Sequence, residues 1–218
     1  MRINNRYRIF EIMVLGIFLS IVTGCATHHP LILVDDNYQI QNAKIAVISG
    51  DKTEATEQFA KLLAQKLEER SSLSVVGQKE VAAQLTQYPV FISFINKKDE
   101  KPEWYAPKEQ AQIDSIQRKL NVQYLFVVWI SDVQRVILYG QGGGSTIYNL
   151  TAYGNMIEYP KGKAISYSVM DKDESPSFWK FTLFKNPSYF VDKMLNSAAD
   201  DITKAIVART AAKKPKKG

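Results

Sequence analysis

Apolar residues change their spacing several times along this chain, and each change predicts a different element. A nearly continuous apolar run at residues 44–49 predicts a strand that is covered on both faces. From residue 54 to about residue 70, apolar residues recur at every third or fourth position, which predicts an amphipathic helix. Asp51 lies three residues before Glu54, so this pair is the predicted capping box of the helix.

Shorter elements are predicted for the middle of the chain. Residues 73–76 have the pattern of a short strand, and the short helix that follows stops before Pro89. Residues 90–95 are apolar enough for either a strand or a helix. The apolar stripe of residues 107–120 predicts another helix, with Asn121 as its C-cap.

The last third of the chain combines strands with one long helix. The strongly apolar run at residues 124–130 is rich in residues that favour strands, and we predict that it is the central strand. Glycines within residues 140–145 predict a hairpin connection, and alternating patterns at 148–156 and 165–169 predict two half-buried antiparallel strands. Pro187 opens a long amphipathic closing helix. The order strand-helix-strand-helix-helix-strand-strand-strand-helix predicts an α/β fold of the mixed α+β type, with helices packed on a central mixed sheet.

The amino terminus has the three-part order of a secretory signal peptide. Arginines precede an apolar run at residues 12–22, which is shorter than the roughly 20 residues that span a bilayer as a helix. Val22 to Cys25 resemble the lipobox of bacterial lipoproteins, in which the cysteine is acylated and becomes the first residue of the mature chain. We therefore predict that residues 1–24 are removed and that Cys25 carries a lipid anchor. In such proteins an aspartate after the cysteine favours the inner membrane, so Ala26 predicts the periplasmic face of the outer membrane.

Composition divides the rest of the chain into three parts. Residues 25–42 are a predicted lipidated tether that lies against the domain, residues 43–209 are the domain, and residues 210–218 are a basic disordered tail. Cys25 is the only cysteine, so no disulfide can form within the chain. The formal net charge of +6 belongs to the leader and the tail. The neutral body that remains argues against nucleic acid as a partner.

The order of several short segments resembles a known family. A strand at residues 44–48 and a helix are followed by residues 72–77, and later the approach at residues 120–124 enters a strand and a meander. This order is similar to the domain shared by the amino-terminal part of TolB, the curli-export lipoprotein CsgG, the lipoprotein PelC and lipoprotein activators of penicillin-binding proteins. The resemblance covers about residues 44–209, although residues 121–123 read Asn-Val-Gln where relatives have Gly-Ala-Asp. It implies an envelope protein that acts by binding other proteins, sometimes as a ring, and it implies no reaction.

Residue patterns for catalysis or metal binding are weak. His28 and His29 lie in the predicted tether, which does not provide the supported geometry of a metal ligand or a general base. The glycines after Gly140 lack the Lys-Ser/Thr and the helix of a phosphate-binding loop. Asp171, Asp173 and Glu174 are interpreted as a solvated acidic turn rather than a calcium loop. We therefore predict no enzyme activity, no metal site and no cofactor other than the lipid on Cys25.

Aromatic clusters are the candidate protein-binding residues, because aromatic side chains are enriched at interface hot spots. The same residues could instead cap the core between the last strand and the closing helix, and the sequence does not separate these two interpretations. The stronger cluster is at residues 178–184, and a weaker one lies in a predicted loop. The candidates are Phe178, Trp179, Phe181, Phe184, Trp104 and Tyr105.

These features predict a non-catalytic adaptor in envelope assembly, secretion or polymer export. Its predicted partners are the membrane, through the lipid, and other envelope or secretion proteins, with a homo-oligomer as a further option. One alternative is a ring or pore component, since residues 145–159 and 163–171 are just long enough for membrane-spanning strands. The other alternative is an activator that docks on a cell-wall synthase.

Overall fold

One mixed sheet with helices packed on it organises the chain, which confirms the predicted fold class. The computed structural model describes residues 27–33, 39–41, 43–85, 90–92, 105, 107–140, 143–160, 163–176 and 187–210. The strands are β1 (Thr27–Leu33), β2 (Lys44–Ser49), β3 (Ser74–Val75), β4 (Tyr124–Gly140), β5 (Gly143–Glu158) and β6 (Lys163–Pro176). The helices are α1 (Glu54–Arg70), α2 (Gln78–Gln84), α3 (Pro107–Leu120) and α4 (Pro187–Thr210).

The six strands lie in the order β1-β6-β5-β4-β2-β3. β2 is parallel to both β3 and β4, whereas β4, β5 and β6 form an antiparallel meander. The predicted central strand is therefore confirmed, since β4 joins the parallel part of the sheet to the antiparallel part. The predicted helices before and after it are also confirmed, and Asn121 ends α3 with a positive φ of 49°.

The sheet has a separate hydrophobic core on each face, and this explains the unbroken apolar run of β2. Ile45 and Val47 pack into the core beneath α1 and α4, whereas Ala46 and Ile48 pack into the core beneath α2 and α3. Successive side chains of a strand point to opposite faces, so a strand that is covered on both sides needs apolar residues at every position.

The start of α1 differs from the predicted capping box. Thr53 is the N-cap residue, and its hydroxyl accepts a hydrogen bond from the Thr56 amide. Asp51 lies two residues earlier, where its carboxylate accepts from the Thr53 amide at 2.9 Å. Both residues have the short polar side chain that favours helix N-termini, so the sequence spacing alone did not choose between them.

Part of the predicted tether is a strand of the sheet. β1 pairs with β6 in an antiparallel register that runs from Thr27 opposite Lys172 to Leu33 opposite Ser166. The acidic residues that we interpreted as a turn lie within β6, so that interpretation was wrong. Further along the chain, the Ile40 amide donates to the Arg209 carbonyl at 3.3 Å and fixes residues 39–41 beside the end of α4.

The opposite edge of the sheet is short and covered. β3 pairs with β2 over two residues, and beyond it the Gln78 side chain donates to the Val47 carbonyl at 2.8 Å. The Ile92 amide then donates to the Gly50 carbonyl at 3.1 Å. The backbone of β2 therefore has hydrogen-bond partners along this edge, which reduces its tendency to pair with another chain.

Close contact of aromatic rings across the meander depends on Gly154. A Cβ atom at this position would lie 2.6 Å from Cζ of Phe126. The Phe126 ring meets the Tyr167 ring edge to face, with a centroid separation of 5.3 Å. Glycine thus leaves room for an aromatic pair from β4 and β6 to meet above β5.

Candidate functional site

The strands of the meander are much longer than the strands of the parallel part of the sheet. β4, β5 and β6 contain 17, 16 and 14 residues, whereas β2 contains six. Residues 124–130 of β4 are buried, and a β-bulge follows between Ile130 and Asp132. We call the part beyond the bulge the outer meander, and it consists of residues 132–140, 143–151 and 170–176. At about 3.4 Å per residue, it extends about 30 Å past the bulge.

The two long helices on one face begin at the level of the bulge. Thr56 lies in the first turn of α1, and its hydroxyl accepts a hydrogen bond from the Ile130 amide. The α1 residue Gln58 donates to Asp192 of α4 at 2.8 Å, and Asp192 likewise lies close to the start of its helix. α1 and α4 run side by side from this level towards Tyr124, and the core on this face still includes Tyr148 and Leu150 of the outer meander.

A side-chain network holds the bulge in place. The Ile130 amide donates to the Thr56 hydroxyl at 3.0 Å, inside the core. The Thr56 hydroxyl in turn donates to Asp51 Oδ2 at 3.2 Å. A bulge takes backbone groups out of the sheet ladder, and a buried amide without an acceptor would be costly. The N-terminus of α1 therefore fixes the point at which β4 leaves the core.

This network also occupies the N-terminus of α1. Helix N-termini attract anions because their free amides and the helix dipole favour negative charge. Here the Asp51 carboxylate already accepts from the amide and the hydroxyl of Thr53. A phosphate ligand would have to displace an anionic group of the protein itself, so this end of α1 is an unfavourable phosphate site.

The other face of the sheet is closed by two buried side-chain hydrogen bonds. Trp129 Nε1 donates to the Ile92 carbonyl at 2.9 Å, and the Tyr105 hydroxyl donates to Asn155 Oδ1 at 2.8 Å. Tyr105 is only 4% exposed, and its burial, with a smaller contribution from Glu109, raises the pKa of its phenol. The structure thus places Tyr105 in the core, although we had included it among the candidates for partner binding.

The remaining predicted site residues lie outside the described part of the chain. These are the predicted lipidation site and five aromatic candidates, namely Cys25, Trp104, Phe178, Trp179, Phe181 and Phe184. Within the described ranges, no group of three or more His, Cys, Asp or Glu side chains could hold a metal ion. None of the helices described there is both long and apolar enough to cross a membrane.

The hairpin that we had considered as a membrane-spanning element belongs largely to the core. Leu150, Ala152, Met156 and Ile157 of β5 are fully buried. This half of β5 is committed to the domain and cannot also face lipid. Sequence analysis did not identify the outer meander. The feature of the sequence that marks its β4–β5 hairpin is the absence of charged residues at positions 136–157.

Comparison with known proteins gave only distant structural similarity. No family profile matches the sequence, and no curated protein matches it significantly. A PelC dodecamer from Paraburkholderia phytofirmans shares 9% identity, with a TM-score of 0.43 and coverage of 86% of this chain and 99% of that one. The lipoprotein GNA1162 from Neisseria meningitidis shares 13% identity, with a TM-score of 0.42 and coverage of 74% and 99%. A minor lipoprotein from Acinetobacter baumannii shares 11% identity, with a TM-score of 0.40 and coverage of 77% and 94%. Similarity at this level carries no argument about what this chain binds.

Proposed function

We propose that this chain is an outer-membrane lipoprotein, anchored through Cys25, that serves as a non-catalytic protein-binding adaptor on the periplasmic face. The observation that carries the proposal is the leader that ends in a lipobox at Cys25. The structure adds support because β1 begins at Thr27, two residues later, and pairs with β6. A lipid on Cys25 would therefore be joined closely to the folded domain.

Two features of the described residues favour binding over catalysis. The buried polar side chains considered above serve the structure, since Thr56 holds the bulge and Asn155 accepts from Tyr105. The outer meander, by contrast, provides a long stretch of paired strands past the bulge. Binding to envelope or secretion proteins is thus a better match for this architecture than a reaction.

Replacement of Cys25 by serine tests the anchor. We expect the Cys25→Ser variant to lose labelling by fatty acid and to keep its leader, because acylation precedes cleavage in the lipoprotein pathway. Val22→Ala, which leaves the cysteine in place, is a control and should still be labelled. Undiminished labelling of the serine variant would contradict the proposal.

Cross-linking in intact cells, followed by mass spectrometry, tests the adaptor role. We expect envelope or secretion proteins to co-purify with the lipidated chain, and Trp179→Ala to weaken that association if the aromatic segment is the contact. Light scattering of the purified lipoprotein distinguishes an adaptor that works as a monomer from a ring. Copies of this chain as the only cross-linked species would contradict an adaptor and favour the ring.

A further inference from the structure

The register of β1 limits where the lipid anchor can lie. Thr27 pairs with Lys172, which pairs with Asn149, which in turn pairs with Gln134. These four residues form one row across the sheet. Cys25 is two residues from Thr27, and two residues span at most about 7 Å. While β1 stays paired, the anchor therefore lies within about 7 Å of the Thr27 Cα atom.

That row lies well inside the outer meander. Six residues separate Gln134 from Gly140 at the hairpin end, which corresponds to about 20 Å. Ten residues separate Gln134 from Tyr124 at the opposite end of β4, which corresponds to about 34 Å. The anchor therefore holds the bilayer beside the outer meander, whereas the Tyr124 end of β4 lies about 34 Å away along the strand.

The geometry points to a direct contact between the bilayer surface and the end of the β4–β5 hairpin, beside the lipid anchor. This inference rests on the proposed lipidation of Cys25. We define the hairpin end as the paired residues 136–140 and 143–147. It extends at least about 13 Å beyond the region that the anchor can reach, so the hairpin end enters the bilayer surface when the strands point towards the membrane.

The composition of the hairpin end suits the interfacial region of a lipid bilayer. It contains Val136, Ile137, Leu138 and Tyr139, and it carries no charge. Tyrosine is enriched at membrane interfaces, where its ring lies among the headgroups. Apolar residues that enter this layer gain the free energy of leaving water, about 25 cal/mol per Å² of apolar surface.

The neighbouring strand limits how deeply the hairpin end can enter. Glu174 of β6 pairs with Ile147, and Asp171 and Asp173 lie in the rows behind it. Carboxylates strongly prefer the aqueous side of a membrane interface, so the Glu174 row should stay at or above the headgroups. Four residues, or about 14 Å, remain beyond that row, which is about half of the roughly 30 Å hydrocarbon core. The hairpin end is therefore too short to span the bilayer, and the contact is confined to one leaflet.

A depth measurement on the lipidated full-length chain tests this contact. Because the chain has one cysteine and the lipid occupies it, Leu138→Cys introduces the only free thiol. The thiol is labelled with an environment-sensitive fluorophore, and the protein is reconstituted into phosphatidylethanolamine–phosphatidylglycerol vesicles. We expect blue-shifted emission and at least about twofold quenching by lipids that are brominated just below the headgroup. Lys119→Cys, exposed on α3 near the opposite end of β4, is the matched control and should show neither effect.

The outcomes separate the contact from the anchor. Water-like emission at position 138, in protein that takes up fatty acid and floats with the vesicles, would overturn the contact and leave the anchor intact. A blue shift without quenching would mean that protein covers the hairpin end, which would also overturn it. Failure of acylation would remove the anchor and the inference together, and fatty-acid labelling of the same sample reveals that case. Tyr139→Cys is a second labelling site if the first variant does not fold.

Discussion

Replacement of Thr56 tests how the outer meander is joined to the core. Thr56 is fully buried, and its hydroxyl accepts from the Ile130 amide at 3.0 Å. In Thr56→Val a methyl group of similar size replaces the hydroxyl, and the buried amide loses its acceptor. Such a loss costs about 1–3 kcal/mol. For a domain of this size, each kcal/mol lowers the Tm by about 2–4 °C.

Thr56→Ser is the matched control, because it keeps the hydroxyl and loses one buried methyl group, worth about 0.8 kcal/mol. Valine and serine have similar helix propensities, so the two variants differ chiefly in the acceptor. Urea denaturation gives the free energy of unfolding, and amide hydrogen exchange reports on Ile130 directly. We expect faster exchange at Ile130 in the valine variant and little change in the serine variant. Equal stability of the two variants, or unchanged protection of Ile130 in the valine variant, would refute the proposed role of the hydroxyl.

Two further predictions concern the packing of the sheet and the contact between α1 and α4. Gly154→Ala brings a Cβ atom to 2.6 Å from Phe126 and should cost about 1–3 kcal/mol in urea denaturation. Gly77→Ala has open space around the added Cβ atom and should cost less, because it weakens only the N-cap of α2. Asp200 of α4 forms ion pairs with Lys66 and Arg70 of α1. Burial tends to raise the pKa of Asp200, but the hydrogen bond from Lys66 and the charges of Lys66 and Arg70 lower it overall. The Asp200 ion pairs therefore contribute their full stabilisation above the unfolded-state pKa of about 3.9, and this is lost as pH falls through the lower folded-state pKa. The stabilisation is about 1 kcal/mol or less, because the site is partly exposed. Stability curves of the native chain and Asp200→Asn should converge at low pH, and a constant difference across that range would contradict this assignment.

Strong local patterns predicted most of the elements. The two-sided apolar run of β2 and the apolar stripes of α1, α3 and α4 each follow from burial of one segment against its neighbours, and all four are present. The apolar run that predicted the central strand covers residues 124–130. The structure continues the strand to Gly140, because pairing with β5 resumes after the bulge.

Contacts between distant parts of the chain account for the misses. β1 contains two histidines and a proline, and its local sequence has the composition of a tether. It becomes a strand because β6 offers it an edge, and no local pattern reveals that pairing. Similarly, Tyr105 stands in a polar stretch that predicts an exposed loop, yet its hydroxyl finds Asn155, which lies 50 positions away.

The pairing of β1 with β6 also constrains the order of folding. The partners Thr27 and Lys172 are separated by roughly 145 positions, so β1 emerges first during synthesis or export but must wait for nearly the whole domain before it can pair. Until then, β6 has an open edge, and closure of the sheet is thus expected to be a late event. With the proposed lipid on Cys25, the same step would change a loosely tethered domain into one held close to the membrane.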